Sequence, residues 1–350
     1  MARKNINTIE YQGYKVEQTD MIRTKIRGIG HAVPDRVVTN ADLEKLMETT
    51  DEWIVERSGI KERRHVDSDT SASDLGVEAA RNALEMAKVK SEDVELIIFC
   101  TISSDYFFPG SAVQIQEKMG MKNIGAFDLR AACSGFVYGL SVADQFVRTG
   151  AHKTVLLIGA EVQSVALAFD TEHRDMAILF GDGAGAAVLQ PSDDESGVLS
   201  THLHSDGKHL QDLWLPAPGS KYRPFMSKKL IDDGLHTPSM NGREVFRNAV
   251  TRFPEVIQEA MDHNSLSMED VALIIPHQAN LRISQAVAKR IGVGMDKVYS
   301  NIQKLGNTTA ASIPIAMSEA FSEGKFGSGD NIILAAFGAG FTWGSAAIRW

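Results

Sequence analysis

The sequence predicts an α/β protein made of two similar halves, on three observations. The segment Ser91-Glu-Asp-Val-Glu-Leu-Ile-Ile98 recurs as Ser267-Met-Glu-Asp-Val-Ala-Leu-Ile-Ile275, and an internal repeat of this kind marks a duplicated unit. Each copy follows a helical stretch and feeds an apolar strand. Each then continues in the order β-α-β-α-β-β, which implies two mixed sheets covered by helices.

In chain order, residues 1–20 are polar and mixed in charge and are expected to form a poorly ordered extension. A strand-like segment with Ile22, Ile26 and Ile29 follows, and helical periodicity covers Ala79 to Ala87. After the strand ending at Ile98 come a helix through Gln114-Ile-Gln-Glu-Lys-Met-Gly120, a strand at Ile124 to Phe127, a small-residue turn and a helix through Val147. Apolar strands at Thr154 to Gly159 and Ala184 to Leu189 complete a first half, residues 21–195. The second half, residues 196–350, repeats the plan with helices at Val256 to Met261 and Ala286 to Gly292, a strand, turn and helix within Ser300 to Phe321, and strands at Asn331 to Phe337 and Trp343 to Ile348.

Composition narrows the function classes. With 45 acidic and 36 basic residues the net charge is −9, so a general nucleic-acid partner is excluded for want of a basic surface. Two cysteines cannot build a disulfide framework, and the N-terminus lacks the basic-then-apolar pattern of a signal peptide. A reducing cytoplasm is the expected location. No apolar run approaches the roughly 20 residues a membrane span needs.

Cys133, in Ala131-Ala-Cys-Ser-Gly135, stands between an extended run and a helix start. Unpaired N–H groups there carry partial positive charge, so the thiol is expected to ionise more easily than a free one. His277, in Ile274-Ile-Pro-His-Gln-Ala-Asn280, follows the second copy's strand. Counting on from the shared Ile-Ile, Cys133 lies 35 residues past Ile98 and Asn307 lies 32 past Ile275, which makes the two near-equivalents in the repeat. A cysteine can hold an acyl group as a thioester, and a histidine beside an asparagine can donate two hydrogen bonds to an oxyanion.

Taken singly, Cys133 reads as a small core residue, His277 as a satisfied histidine and Asn307 as a helix cap. The loop Phe337-Gly-Ala-Gly-Phe-Thr-Trp-Gly344 offers a backbone donor, or is simply a tight turn. Gly181-Asp-Gly-Ala-Gly-Ala186 fails as a dinucleotide site, because a strand follows where a helix is required. His202, His204 and His209 lack a recognisable metal spacing and read as surface residues.

Six motifs together resemble the β-ketoacyl-acyl-carrier-protein synthase III family over residues 21–350: Asp51-Glu-Trp-Ile-Val-Glu-Arg-Ser-Gly-Ile60, Ala131-Ala-Cys-Ser-Gly135, Phe180-Gly-Asp-Gly-Ala-Gly185, Pro276-His-Gln-Ala-Asn-Leu-Arg282, Gly306-Asn-Thr and Phe337-Gly-Ala-Gly-Phe-Thr-Trp-Gly344. The resemblance implies a thiolase fold, five layers α-β-α-β-α with pseudo-twofold halves, and a Cys133–His277–Asn307 triad. It implies an acyltransferase without metal or redox cofactor, which takes an acyl group from acyl-coenzyme A and condenses it with malonyl-acyl-carrier protein. The N–H groups of Cys133 and Ala339 would form the oxyanion hole. Trp53 and Arg174 would flank the adenine, and Phe108 would border the acyl pocket near a homodimer interface. Arg282, Lys289 and Arg290 would form a basic docking patch for the carrier protein; read alone, they are an ordinary solvated face.

Three departures stand out: Ala339 replaces a common glycine, Arg243 replaces a smaller polar residue next to the substrate, and the loop Val162 to Asp170 is long and apolar. Competing readings are a related acyltransferase or condensing enzyme of secondary metabolism or of long acyl chains, a cysteine hydrolase, and a non-catalytic acyl binder. Free acid would mark the hydrolase, and a Cys133 that never gains acyl mass would mark the binder.

Overall fold

The computed structural model describes residues 22–350 and, before them, the backbone of two strands, Asn7–Tyr11 and Tyr14–Gln18, which pair antiparallel. The remainder of the 1–20 extension lies outside the described residues.

The first half supplies β1 (Thr24–Ala32), α1 (Asp51–Ser58), α2 (Ala72–Ala87), β2 (Leu96–Cys100), α3 (Ala112–Lys118), β3 (Gly125–Leu129), α4 (Gly135–Arg148), β4 (Val155–Glu161) and β5 (Gly183–Pro191). Its five-stranded sheet has the order β1-β5-β4-β2-β3. Strand β2 is parallel to both neighbours, whereas β5 is antiparallel to β4 and to β1. The second half supplies β6 (Gly197–Ser205), α5 (Gly242–His263), β7 (Val271–Pro276), α6 (Leu281–Ile291), α7 (Ser312–Ser322), β8 (Asn331–Gly338) and β9 (Thr342–Arg349). Its four-stranded sheet has the order β6-β9-β8-β7. Where the first half has β3, the second has a single parallel bridge, Ile274 to Val298.

Helices α4 and α7 lie between the two sheets, α2 and α3 cover the outer face of the first, and α5 and α6 cover that of the second. The result is the expected five-layered α-β-α-β-α arrangement. Strands β2 and β4 are buried along their whole length, which is why they read as unbroken apolar runs rather than alternating ones. Phe136 and Leu140 of α4 join Ile98, Leu334 and Ile348 in the core between the sheets, each such side chain contributing roughly 1.5–3 kcal/mol by burial. Among the described residues no helix is long and apolar enough to cross a membrane.

Candidate functional site

The carboxyl ends of the strands open onto a cavity of about 370 Å³ whose lining includes Cys133, His277 and Asn307. Cys133 occupies a short 3-10 turn, Ala132–Ser134, between β3 and α4. The turn is strained at Ala132, where φ is 46°. It is tied to the loop after β8: Ser134 Oγ donates to Thr342 O at 2.9 Å, and Thr342 Oγ1 donates to Ala131 O at 3.4 Å. Gly338 backs directly onto the thiol, so that even a Cβ there would lie 2.5 Å from Cys133 Cβ.

The expected easing of thiol ionisation is corrected by the structure. Burial pushes Cys133 up to about 12, and the negative charge of Glu161 adds to the rise; the N–H groups of Ala339 and Cys133 itself act against it. Removal from water outweighs a partial charge at a helix start. The two backbone N–H groups expected to hold an oxyanion are thus the two that favour the thiolate. Ala339 is tolerated because the positive φ in its loop, 134°, falls on Gly340.

His277 follows β7 and is anchored by its own N–H, which donates to Ala335 O at 2.8 Å. Its Nδ1 lies 2.6 Å from Ser312 Oγ, at the start of α7. That oxygen also receives the Gln278 N–H at 3.4 Å, and we assign the hydroxyl proton to Nδ1. The imidazole proton is then on Nε2, which is buried and has no hydrogen-bond partner among the described residues. Burial lowers His277 to about 3, so the ring is neutral and presents an N–H donor to the cavity.

Asn307 is fixed by the backbone on both sides: its N–H donates to Leu179 O at 2.8 Å and its carbonyl accepts from Gly181 N–H at 3.1 Å. Its Oδ1 accepts the Thr309 N–H at 2.8 Å, which leaves Nδ2 as the free donor. Asn307 and Cys133 are not repeat equivalents, however. The second strained turn is Thr309–Ala311, with Thr309 at φ 49°. Thr309 therefore matches Ala132, and Ala310 matches Cys133. Ala310 lies 35 residues past Ile275, the same count that separates Cys133 from Ile98, so the shorter count of 32 to Asn307 already marks the mismatch.

At the rim, Thr50 caps α1 by accepting the Trp53 N–H at 3.2 Å, and two guanidinium groups cover the indole. Arg174 lies 4.7 Å from the ring centroid and Arg57 lies 4.5 Å from it. Arg57 was missed in the sequence although it follows Trp53 by one helical turn. Phe169, from the long 162–170 loop, packs against the same core cluster as Trp53. Arg57, Arg243 and Arg282 line the cavity, and among the described residues none of the three has a carboxylate partner.

The remaining expected residues are dispersed. Lys289 and Arg290 lie further along α6 and do not line this cavity; Arg290 donates to Val250 O on α5 at 3.0 Å. Phe108 is 80% exposed, packed edge-on against Phe107, and does not line the cavity either. His202 and His204 both face Glu259, at 3.5 and 2.7 Å, and His209 pairs with Asp212 at 2.7 Å. Among the described residues no group of three such side chains has metal-holding geometry.

Models of the 3-oxoacyl-[acyl-carrier-protein] synthase III family match residues 127–207, and of its C-terminal part residues 261–350. A β-ketoacyl-[acyl-carrier-protein] synthase III of Clostridioides difficile is 48% identical over 325 residues, 93% of this chain and 98% of that protein. The crystal structure of 3-oxoacyl-[acyl-carrier-protein] synthase III from Aquifex aeolicus superposes with a TM-score of 0.86 at 42% identity, over 93% of this chain and 100% of that one. The priming β-ketosynthase of the R1128 polyketide pathway also reaches 0.86, at 31% identity over 94% of this chain and 97% of that one. With the fold, the cavity and a relative of this identity in agreement, the chain belongs to the β-ketoacyl-[acyl-carrier-protein] synthase III family, the thiolase-fold condensing enzymes that initiate fatty-acid synthesis.

Proposed function

We propose that this chain takes an acyl group from acyl-coenzyme A onto Cys133 and condenses it with malonyl-acyl-carrier protein, releasing carbon dioxide and 3-ketoacyl-acyl-carrier protein. One observation carries the reading. A buried thiol, a neutral imidazole with a free Nε2–H and an amide with a free Nδ2 share one cavity. A protease-like arrangement needs a histidine that can take the thiol proton. Here Ser312 holds the tautomer that donates instead.

In the first half-reaction the Cys133 sulfur attacks the thioester carbonyl, the bond to the coenzyme A sulfur breaks, and the thiol proton leaves on coenzyme A. A thiol titrating near 12 is almost wholly protonated at neutral pH, so the N–H groups of Cys133 and Ala339 are needed to stabilise the sulfur and then the tetrahedral oxyanion. In the second, His277 Nε2–H and Asn307 Nδ2–H donate to the malonyl thioester oxygen. The carbon–carboxylate bond breaks, its electron pair forms the enolate, and carbon dioxide leaves. The enolate carbon attacks the acyl group, Cys133 departs as thiolate and regains a proton from water. Each residue of the pair meets charge that exists only as the reaction proceeds, which is what lowers a barrier.

The unpaired Arg57 and Arg243, with Arg174 and Trp53, suit the phosphates and adenine of coenzyme A. Arg282, with Lys289 and Arg290 further along α6, suits an acidic carrier protein. Homodimer formation is supported by the edge strand β3 and its part-exposed Phe127, together with the exposed Phe107 and Phe108. We place the reaction in the cytoplasm, where both free thiols stay reduced. Intact mass after acyl-coenzyme A treatment should show one acyl group on Cys133, and malonyl-carrier protein should then yield carbon dioxide and the 3-ketoacyl product. Acylation without either product would overturn the reading.

A further inference from the structure

Glu161, the last residue of β4, is fully buried, and among the described residues no cation pairs with it. An unpaired carboxylate in a protein interior is costly and calls for a reason. Its donors come from three segments. Ile102 N–H reaches both oxygens at 3.2 Å, Thr101 Oγ1 and Gln163 Nε2 each donate at 3.2 Å, and Ser103 Oγ donates at 2.6 Å. The backbone N–H of Ala310, in the turn that follows Asn307, lies close enough to favour the charged carboxylate, and β4 packs directly on that turn, since a Cβ on Gly159 would lie 2.6 Å from Ala310 O. Ala310 is the repeat equivalent of Cys133. As β8 ends at Gly338 against the thiol, β4 ends at Glu161 against Ala310.

That turn needs holding. Thr309 is β-branched and sits at φ 49°, a conformation that costs on the order of 1–3 kcal/mol and persists only where neighbours enforce it. Thr309 N–H in turn fixes the Asn307 amide. Resting on the function proposed above, we propose that Glu161 is a positioning residue for the condensation half-reaction: its buried carboxylate, at the end of the strand that packs on the 309–311 turn, attracts the Ala310 N–H and so keeps the Asn307 donor aimed into the cavity.

The same group imposes a pH dependence. Burial raises Glu161 to about 7, and the titratable groups that feel its charge are the thiols of Cys100 and Cys133. The nearby carboxylates of Asp128 and Asp182 are held by donors of their own, Ser111 and Ala112 N–H for the first, Val66 and Ser164 N–H for the second. The 309–311 turn contributes no charge. During condensation Cys133 is acylated and His277 titrates near 3, which leaves Glu161 as the group that titrates near neutrality. Condensation should therefore fall as pH drops through about 7.

The test separates the half-reactions at pH 8. Glu161→Gln places an amide NH2 against obligate N–H donors. Condensation by preformed acyl-enzyme should fall on the order of a hundredfold, as for a misaimed oxyanion donor. Acylation of Cys133 should hold or rise, because the charge opposing its thiolate has gone. Wild-type condensation in the variant, or equal loss in both half-reactions, would overturn the proposal. Ser103→Ala removes a donor that favours the ionised form, and should move the inflection of the condensation profile to higher pH. That shift decides the matter if Glu161→Gln does not fold, and an unmoved inflection in Ser103→Ala counts against Glu161. A wild-type enzyme that acylates but never condenses would defeat the function proposal instead.

Discussion

Gly338→Ala is the smallest change that should disable the nucleophile. An ideal Cβ on Gly338 would sit 2.5 Å from Cys133 Cβ, 2.9 Å from Sγ and 3.2 Å from the Cys133 nitrogen. Carbon atoms settle at about 3.5–4.0 Å, so the Cys133 turn or the end of β8 must retreat by roughly 1 Å. Neither can do so freely, because Ser134 and Thr342 tie the two together. Overpacking of this size costs about 1–3 kcal/mol of stability, which a folded enzyme of this size tolerates. A reacting atom displaced by 1 Å loses on the order of a hundredfold in rate, and the displacement also takes Sγ off the Ala339 N–H. Single-turnover acylation by acyl-coenzyme A, followed by intact mass, reads the loss, while a thermal melt confirms the fold. Gly207→Ala, where an added Cβ meets nothing within 4 Å, serves as control. Acylation at the wild-type rate by a folded Gly338→Ala enzyme would refute the claim that this contact sets the thiol's position.

Three further outcomes are expected. His277→Ala and Asn307→Ala should keep the acyl-enzyme yet lose condensation by about a hundredfold or more each; loss of acylation in both would reassign them to thiol activation. Arg57→Ala should raise the KM for acyl-coenzyme A while condensation by preformed acyl-enzyme stays unchanged, which steady-state and single-turnover rates separate. Stability should fall as the solution is acidified below the unfolded histidine value of about 6.5, because the unfolded chain then binds a proton that folded His277, lowered to about 3, refuses. The contribution is complete above that value, and its loss amounts to roughly 2 kcal/mol between pH 7 and pH 5. Urea unfolding of His277→Asn at both pH values should show that much less slope, and an unchanged slope would mean His277 is not held neutral.

The outline of the two halves was legible because each depends on short-range pattern. Leu96-Ile-Ile-Phe-Cys100 and Val271-Ala-Leu-Ile-Ile-Pro276 are covered on both faces, and such strands must be apolar throughout. The three candidate residues were legible for a related reason: Cys133, His277 and Asn307 each sit at a strand end or in a turn, where the local pattern breaks. What failed was anything decided by three-dimensional surroundings. The helix-start argument for Cys133 gave the wrong direction because burial and the charge of Glu161 come from elements distant in sequence. The tautomer of His277 depends on Ser312, which nothing in the local sequence marks.

The register error carries more information than the successes. Treating counts of 32 and 35 as equal paired Asn307 with Cys133, whereas the exact count reaches Ala310 and the backbone agrees, aligning Ala132 with Thr309, both in left-handed conformations that neither alanine nor threonine announces. Once Ala310 is recognised as the counterpart of Cys133, the asymmetry between the halves becomes chemical. One strained turn backs onto a glycine and carries the thiol; the other packs on the strand that ends in a buried carboxylate. Duplication supplied two equivalent turns. In the roles proposed above, one holds the acyl group and the other aims the donor that activates its partner. Glu161 was itself readable in Val155-Leu-Leu-Ile-Gly-Ala-Glu161 as a lone charge closing an apolar strand, a position where a strongly shifted ionisable group marks a functional-site candidate.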